Sequence, residues 1–153
     1  MTGVLAVPVE HRAYASATGD HAVVVVDDST FRIVARVPGP RFPDGIAYAP
    51  EERRVFVSDE SERRDFVIDA ATNSVVARIE LDGEAGNTQY DPGSHCVIVA
   101  VQTANQLAVI DPATATWCAC GRSWSRSSDP MSSATGRRPA SYSRRSGRVR
   151  RRC

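Results

Sequence analysis

Three groups of side chains in this 153-residue sequence could do chemistry. The first is acidic. Asp20, Asp44, Asp59, Glu60, Glu62, Asp82 and Glu84 fall in short polar stretches, and Gln102 and Asn105 occupy a similar stretch further on. Carboxylates and amides brought to one point could hold Ca²⁺; left apart, they are acidic loops that keep a protein soluble. The second group is basic. His11, Arg53 and His95 stand 42 residues apart, and His21 is matched by Arg63 at the same interval. A basic residue repeated at one place reads as a solvated turn feature rather than a ligand set. The third group is Cys118-x-Cys120 with Cys153. Their spacing is not a zinc pair, and no fourth ligand lies near in sequence. There is no defensible Ser-His-Asp arrangement and no Gly-rich loop running from a strand into a helix. The sequence therefore assigns no catalytic, cofactor-binding or metal-ligating residue.

The elements that would position these groups follow from a repeat. Asp27, Asp69 and Asp111 are 42 apart, as are Pro8, Pro50 and Pro92, and Thr30, Thr72 and Thr114. Tyr14, Phe56 and Ile98 match as large apolar residues. Val26, Ile68 and Ile110 match as β-branched ones. Periods of 40–50 residues belong to propeller blades. The copies run over 3–44, 45–86 and 87–116, the last one incomplete.

Each copy reads as four short strands. In the second, Gly45–Ala49 is stopped by Pro50, and Arg54–Ser58 follows a polar turn. Phe66–Ile68 then ends at Asp69, and Ser74–Leu81 closes the unit. Val and Ile dominate these runs, and Asp-x-x-Thr turns separate the last two, with side chains suited to bonding nearby amides. The middle strands are apolar at consecutive positions, as strands covered on both faces must be. No stretch has helical periodicity. Cys96 opens a strand and is expected to be a small core residue. The fold class is all-β: a propeller fragment of about three four-stranded antiparallel blades.

The segments Val25-Val26-Asp27, Val67-Ile68-Asp69 and Val109-Ile110-Asp111, with the aromatic-Val-Ser strand Phe56-Val57-Ser58, resemble the YVTN-type (YncE-like) β-propeller repeat. Phe42-Pro43-Asp44-Gly45-Ile46-Ala47 is similar to that family's blade start. The resemblance covers residues 3 to about 116. It implies an architecture and not an activity; the expected role is that of a truncated, non-catalytic binding or scaffold protein, with an unidentified ligand or protein at the channel face. The alternative expectation is part of a metal-dependent, lactonase-like propeller hydrolase, although no lactonase ligand pattern can be matched residue by residue.

Beyond residue 116 the composition changes. Residues 1–116 hold 9 Arg against 17 Asp or Glu, whereas 117–153 hold 10 Arg against Asp129 alone. The tail is rich in Ser, Trp and Cys, the residues that GC-rich codons yield out of frame. A frameshift near codon 117 is the expectation, with a disordered tail and no fourth strand after Thr116. The competing reading is a genuine Arg/Ser tail that binds nucleic acid. Open blade edges predict self-association. No signal peptide and no membrane-spanning run is visible. The compartment stays open, although proteins with the YVTN-type repeat are often periplasmic or secreted.

Overall fold

The computed structural model describes residues 2–120. It contains twelve strands in three antiparallel sheets, each made of four strands consecutive in sequence. Blade 1 comprises β1 (Val4–Val7), β2 (Arg12–Ala17), β3 (Ala22–Asp27) and β4 (Ile33–Pro38). Blade 2 comprises β5 (Pro43–Ala49), β6 (Arg54–Asp59), β7 (Arg64–Asp69) and β8 (Ser74–Glu80). Blade 3 comprises β9 (Ala85–Asp91), β10 (Cys96–Val101), β11 (Gln106–Asp111) and β12 (Thr116–Cys120). Two short 3₁₀ turns, Pro8–Glu10 and Thr18–Asp20, join strands in blade 1. No helix among the described residues is long and apolar enough to cross a membrane.

The fourth strand expected to be missing from the third repeat is present. β12 pairs with β11 from Asp111↔Thr116 to Leu107↔Cys120. Trp117 Nε1 donates to Glu80 O at 2.8 Å, tying β12 to the end of β8. The structured part thus extends past the boundary drawn at residue 116. Trp and Cys are compatible with a pleated strand, so an altered composition does not prevent pairing. Residues 121–153, and with them the disorder expected of the tail, its arginines and Cys153, lie outside the described residues.

The hairpin turns explain why the period is strict. Each closing turn places one residue in the left-handed region, at Phe31, Asn73 and Ala115. The preceding Asp bonds back into the turn: Asp27 accepts from Thr30 N at 2.9 Å, Asp69 from Thr72 N at 2.8 Å, and Asp111 from Ala113 N at 2.8 Å. An Asp side chain that takes these amides frees the chain to reverse within five residues. The Ser29 hydroxyl, then the Thr30 amide, hold the Asp27 carboxyl below its ordinary range, and the Thr72 amide and hydroxyl do the same for Asp69. The first turns do the same at His11, Arg53 and His95, and the middle turns at His21, Arg63 and Asn105. The repeated His/Arg position is therefore set by backbone geometry.

Two apolar layers separate the three blades. Val7, Tyr14, Val23, Val25 and Val37 of blade 1 pack on Val55, Val57, Phe66 and Ile68 of blade 2. Phe56, Val67 and Ile79 on the other face of blade 2 pack on Val97, Val99, Ala108 and Ile110 of blade 3. Each blade thus has an incoming face toward its predecessor and an outgoing face toward its successor. Both faces of the middle blade are buried, as its continuous apolar strands require. Cys96, expected in the core, is half-buried instead, with Sγ near Ser94 O at 3.4 Å.

Candidate functional site

The first strands come closest together, and glycine makes this possible. A Cβ at Gly45 would meet the backbone of Thr88 and Gly86; a Cβ at Gly3 would meet Asp44 O. Beside each glycine a buried serine clamps the next blade. Ser16 Oγ donates to Asp44 O at 2.7 Å, and Ser58 Oγ donates to Gly86 O at 2.6 Å. Buried hydroxyls in contact with carbonyls satisfy both groups and fix the spacing of the strands.

The acidic loops gather at one end, beside the channel side of the blades. Asp59 is fully buried there. It accepts from Arg41 N at 2.6 Å, Phe42 N at 3.1 Å and Ser61 Oγ at 3.0 Å, so it pins the crossing from blade 1 to blade 2. Asp20 pairs with Arg36 at 2.8 Å, and Glu62 with Arg64 at 3.1 Å. Among the described residues no three His, Cys, Asp or Glu side chains group as metal ligands, so the carboxylates weighed as a Ca²⁺ site are not gathered into one. What remains at this mouth is a recess of about 210 Å³ lined by Phe42, Glu60, Ser61 and Glu84.

The opposite end holds an arrangement the sequence reading missed. Glu10 accepts from Tyr48 Oη at 2.6 Å and from Arg53 Nε at 2.8 Å and Nη2 at 2.6 Å, with its side chain 7% exposed. The Arg53 bond, then the Tyr48 bond, lower its pKa to about 2. The Tyr48 hydroxyl, covered and facing that carboxylate, is pushed up to about 12. One repeat later the parts are Glu52, Tyr90 and His95. There His95 Nδ1 lies 2.9 Å from Glu51 and 3.3 Å from Tyr90 Oη. The signal was available, since Glu10/Glu52 and Tyr48/Tyr90 are also 42 apart. Of the repeated basic residues, His11 and His95 are exposed, while Arg53 bridges two blades. A cleft of about 450 Å³ beside His95 is lined by Glu52, Asp91, Cys96, Ile98 and Val109.

Between blades 2 and 3 lies the least expected group. Asp65 is completely buried, and neither carboxyl oxygen has a hydrogen-bond partner. It faces Ser58 and Ile79 across the sheet. It shares the outgoing face of β7 with Val67, so it points toward blade 3. Desolvation pushes its pKa up to about 8; the Val57 N–H pulls weakly the other way without reaching hydrogen-bond geometry. Gln106 Nε2, also buried and unpartnered, shares a face with Val101 and Ala108 in the same apolar layer. All the unpartnered buried side-chain atoms among the described residues therefore belong to one joint.

Three stacked four-stranded sheets with innermost first strands define a partial β-propeller, and solved structures agree. The chain is similar to hydrazine synthase of Kuenenia stuttgartiensis, with a TM-score of 0.70 and 19% identity over 76% of this chain and 34% of that one. It is also similar to the dihydro-heme d1 dehydrogenase NirN, with a TM-score of 0.67 and 19% identity over 76% of this chain and 27% of that one. The β-propeller domain of Myceliophteria thermophila Cps50 (Swd1) gives 0.64 and 12% identity over 78% and 38%. At these identities the likeness shows the fold alone. The chain spans about a third of the length of these structures. No family model and no curated protein matches it.

Proposed function

We propose that the chain is a YVTN-type propeller segment with a non-catalytic binding or scaffold role, and that it meets its partner at the channel mouth. The observation that carries this is the recess lined by Phe42, Glu60, Ser61 and Glu84. An accessible ring with two carboxylates around it suits a positively charged side chain on a partner protein, through cation–π and charge attraction. The neighbouring carboxylate best placed for chemistry, Asp59, is occupied by backbone amides.

The test is a titration of the full chain with a labelled Arg-rich peptide and, in parallel, a Glu-rich one. Saturable binding of the basic peptide is expected, weakened roughly tenfold by Phe42→Ala and further by added salt. Equal binding of both peptides, or no effect of Phe42→Ala, overturns the reading. Metal-dependent lactone hydrolysis by the same preparation would favour the hydrolase alternative. Salt-sensitive DNA binding that vanishes on deleting residues 121–153 would favour the nucleic-acid one.

A further inference from the structure

The joint between blades 2 and 3 is unequal at its two ends. At the mouth end, where β7 and β11 begin, lie the unpartnered Asp65 carboxyl and Gln106 amide. The nearest hydroxyl is already used: Ser58 Oγ accepts from Gly45 N at 2.8 Å and donates to Gly86 O at 2.6 Å. Ile79, Val99, Val101 and Ala108 complete an apolar surround. No counter-charge faces Asp65. By register, Asp59, Arg64, Arg78 and Glu80 lie on the opposite face of blade 2. Glu60 and Glu84 stand at the mouth rim with the same sign as an ionised Asp65. Arg54, Asp69 and Tyr90 face the joint only from its far end. There Arg54 Nη1 bolts the blades together, donating to Pro112 O at 2.6 Å and Ala113 O at 3.1 Å. A dry joint of this kind holds a neutral acid and rejects a carboxylate.

The mouth recess spans the same joint. Phe42, Glu60 and Ser61 belong to the blade 2 side, where Glu60 N donates to Phe42 O at 3.2 Å. Glu84 is held by blade 3: its N donates to Thr103 Oγ1 at 2.9 Å, and its O accepts from Gln102 N at 2.8 Å. We propose that the joint is a proton-gated hinge, which pivots on its Arg54 end, opens at the mouth as Asp65 gives its proton to water, and draws Glu84 away from the rest of the recess. In the closed joint burial keeps the acid neutral up to about pH 8; in the open joint it is solvated and ionised. Each opening then releases one proton, so the opening constant rises about tenfold per pH unit below that point. A basic partner in the recess bridges both sides and holds the joint shut, a consequence that rests on the reading of the mouth as its binding site.

Thiol labelling of the full chain from about pH 5 to about pH 8 tests this. Val99→Cys puts a probe in this joint and Val25→Cys a matched probe in the first, both at fully buried positions. Peptide mass spectrometry separates each probe from the native cysteines, and rates are divided by those of the same thiol in urea. The Val99→Cys rate should rise about tenfold per pH unit and exceed that of Val25→Cys by tenfold or more at the top of the range. Adding Asp65→Asn, which cannot ionise, should flatten the rise; Asp65→Val serves if that variant fails to fold. Saturating Arg-rich peptide should slow Val99→Cys labelling. A rise that survives loss of the carboxyl, or equal labelling of the two probes at every pH, overturns the hinge. A peptide that binds without slowing the labelling overturns its link to the recess, whereas a peptide that does not bind sinks the reading of the mouth alone.

Discussion

The joint between blades 1 and 2 holds Val23 and Phe66 where the joint between blades 2 and 3 holds Asp65 and Ala108. Phe66 fits over Gly39, whose added Cβ would stand 3.1 Å from its ring. One repeat on, the small residue is Ala108, and Leu81 occupies the place of Gly39 within the same buried layer. Volume has moved from one side of the joint to the other while the blades kept their spacing, as close packing demands. The polar pairs change together too. Tyr14 Oη lies 3.5 Å from Asn73 Oδ1; the corresponding residues are Phe56 and Ala115, so donor and acceptor are both gone. The serine clamp is kept in both joints. What differs is satisfaction. The first joint is apolar with its polar groups paired at the rim, and the second encloses a carboxyl and an amide without partners. The glycine approach and the serine clamp are the invariants of the stack, and the second joint gives up stability that the first retains.

The largest expected effect breaks the first joint. Phe66→Ala leaves a cavity over Gly39 and should cost about 3–5 kcal/mol in urea unfolding. A loss below about 1 kcal/mol would mean that blade 1 closes over the gap and that the volume exchange is not binding on the fold. Next comes the second joint. Asp65→Val installs the residue that blade 1 carries at this position and should stabilise by about 1–3 kcal/mol. The effect has a pH signature. The folded pKa of about 8 exceeds the ordinary aspartate value of 3.8, so the folded chain favours the neutral acid. Wild-type stability should therefore fall as pH rises from about 4 to about 8, and the variant should lose that slope. Equal slopes in both proteins would show that Asp65 is not the group responsible.

Glu10→Gln acts in the opposite direction. Its folded pKa of about 2 lies below the usual 4.5, so its contribution is present above about pH 4.5 and fades as pH falls toward 2. A loss of about 1 kcal/mol at pH 7, shrinking in acid, is expected from thermal melts across that window. The smallest effect is Tyr14→Phe, about 0.5 kcal/mol, because the bond it removes is long. Native-state hydrogen exchange sharpens the comparison directly: at neutral pH, amides of β9 to β12 should exchange by an opening of lower free energy than those of β2 and β3.

The strands and blade count were legible because the period of 42 repeats both the apolar runs and the Asp-x-x-Thr turns. β12 was not. Thr116-Trp117-Cys118-Ala119-Cys120 departs in residue type from its counterparts, yet strand pairing uses backbone groups that every residue supplies. Glu10 escaped notice because its partners come from the next blade, 38 and 43 residues away. Asp65 escaped because a charged residue beside Arg64 at a strand start reads as solvated. Only the stacking of a third blade on that face removes it from water. The mouth recess was legible as a set of polar loops, but not the placing of Phe42 among its carboxylates, which depends on Asp59 holding the crossing chain.

Every sheet here pairs only strands that follow one another in the chain. No strand waits for a distant partner, so each blade can close as a run of hairpins soon after its own residues leave the ribosome, and the next blade can be laid against a finished surface. Folding in this chain can proceed by accretion, with each new layer templated by the last.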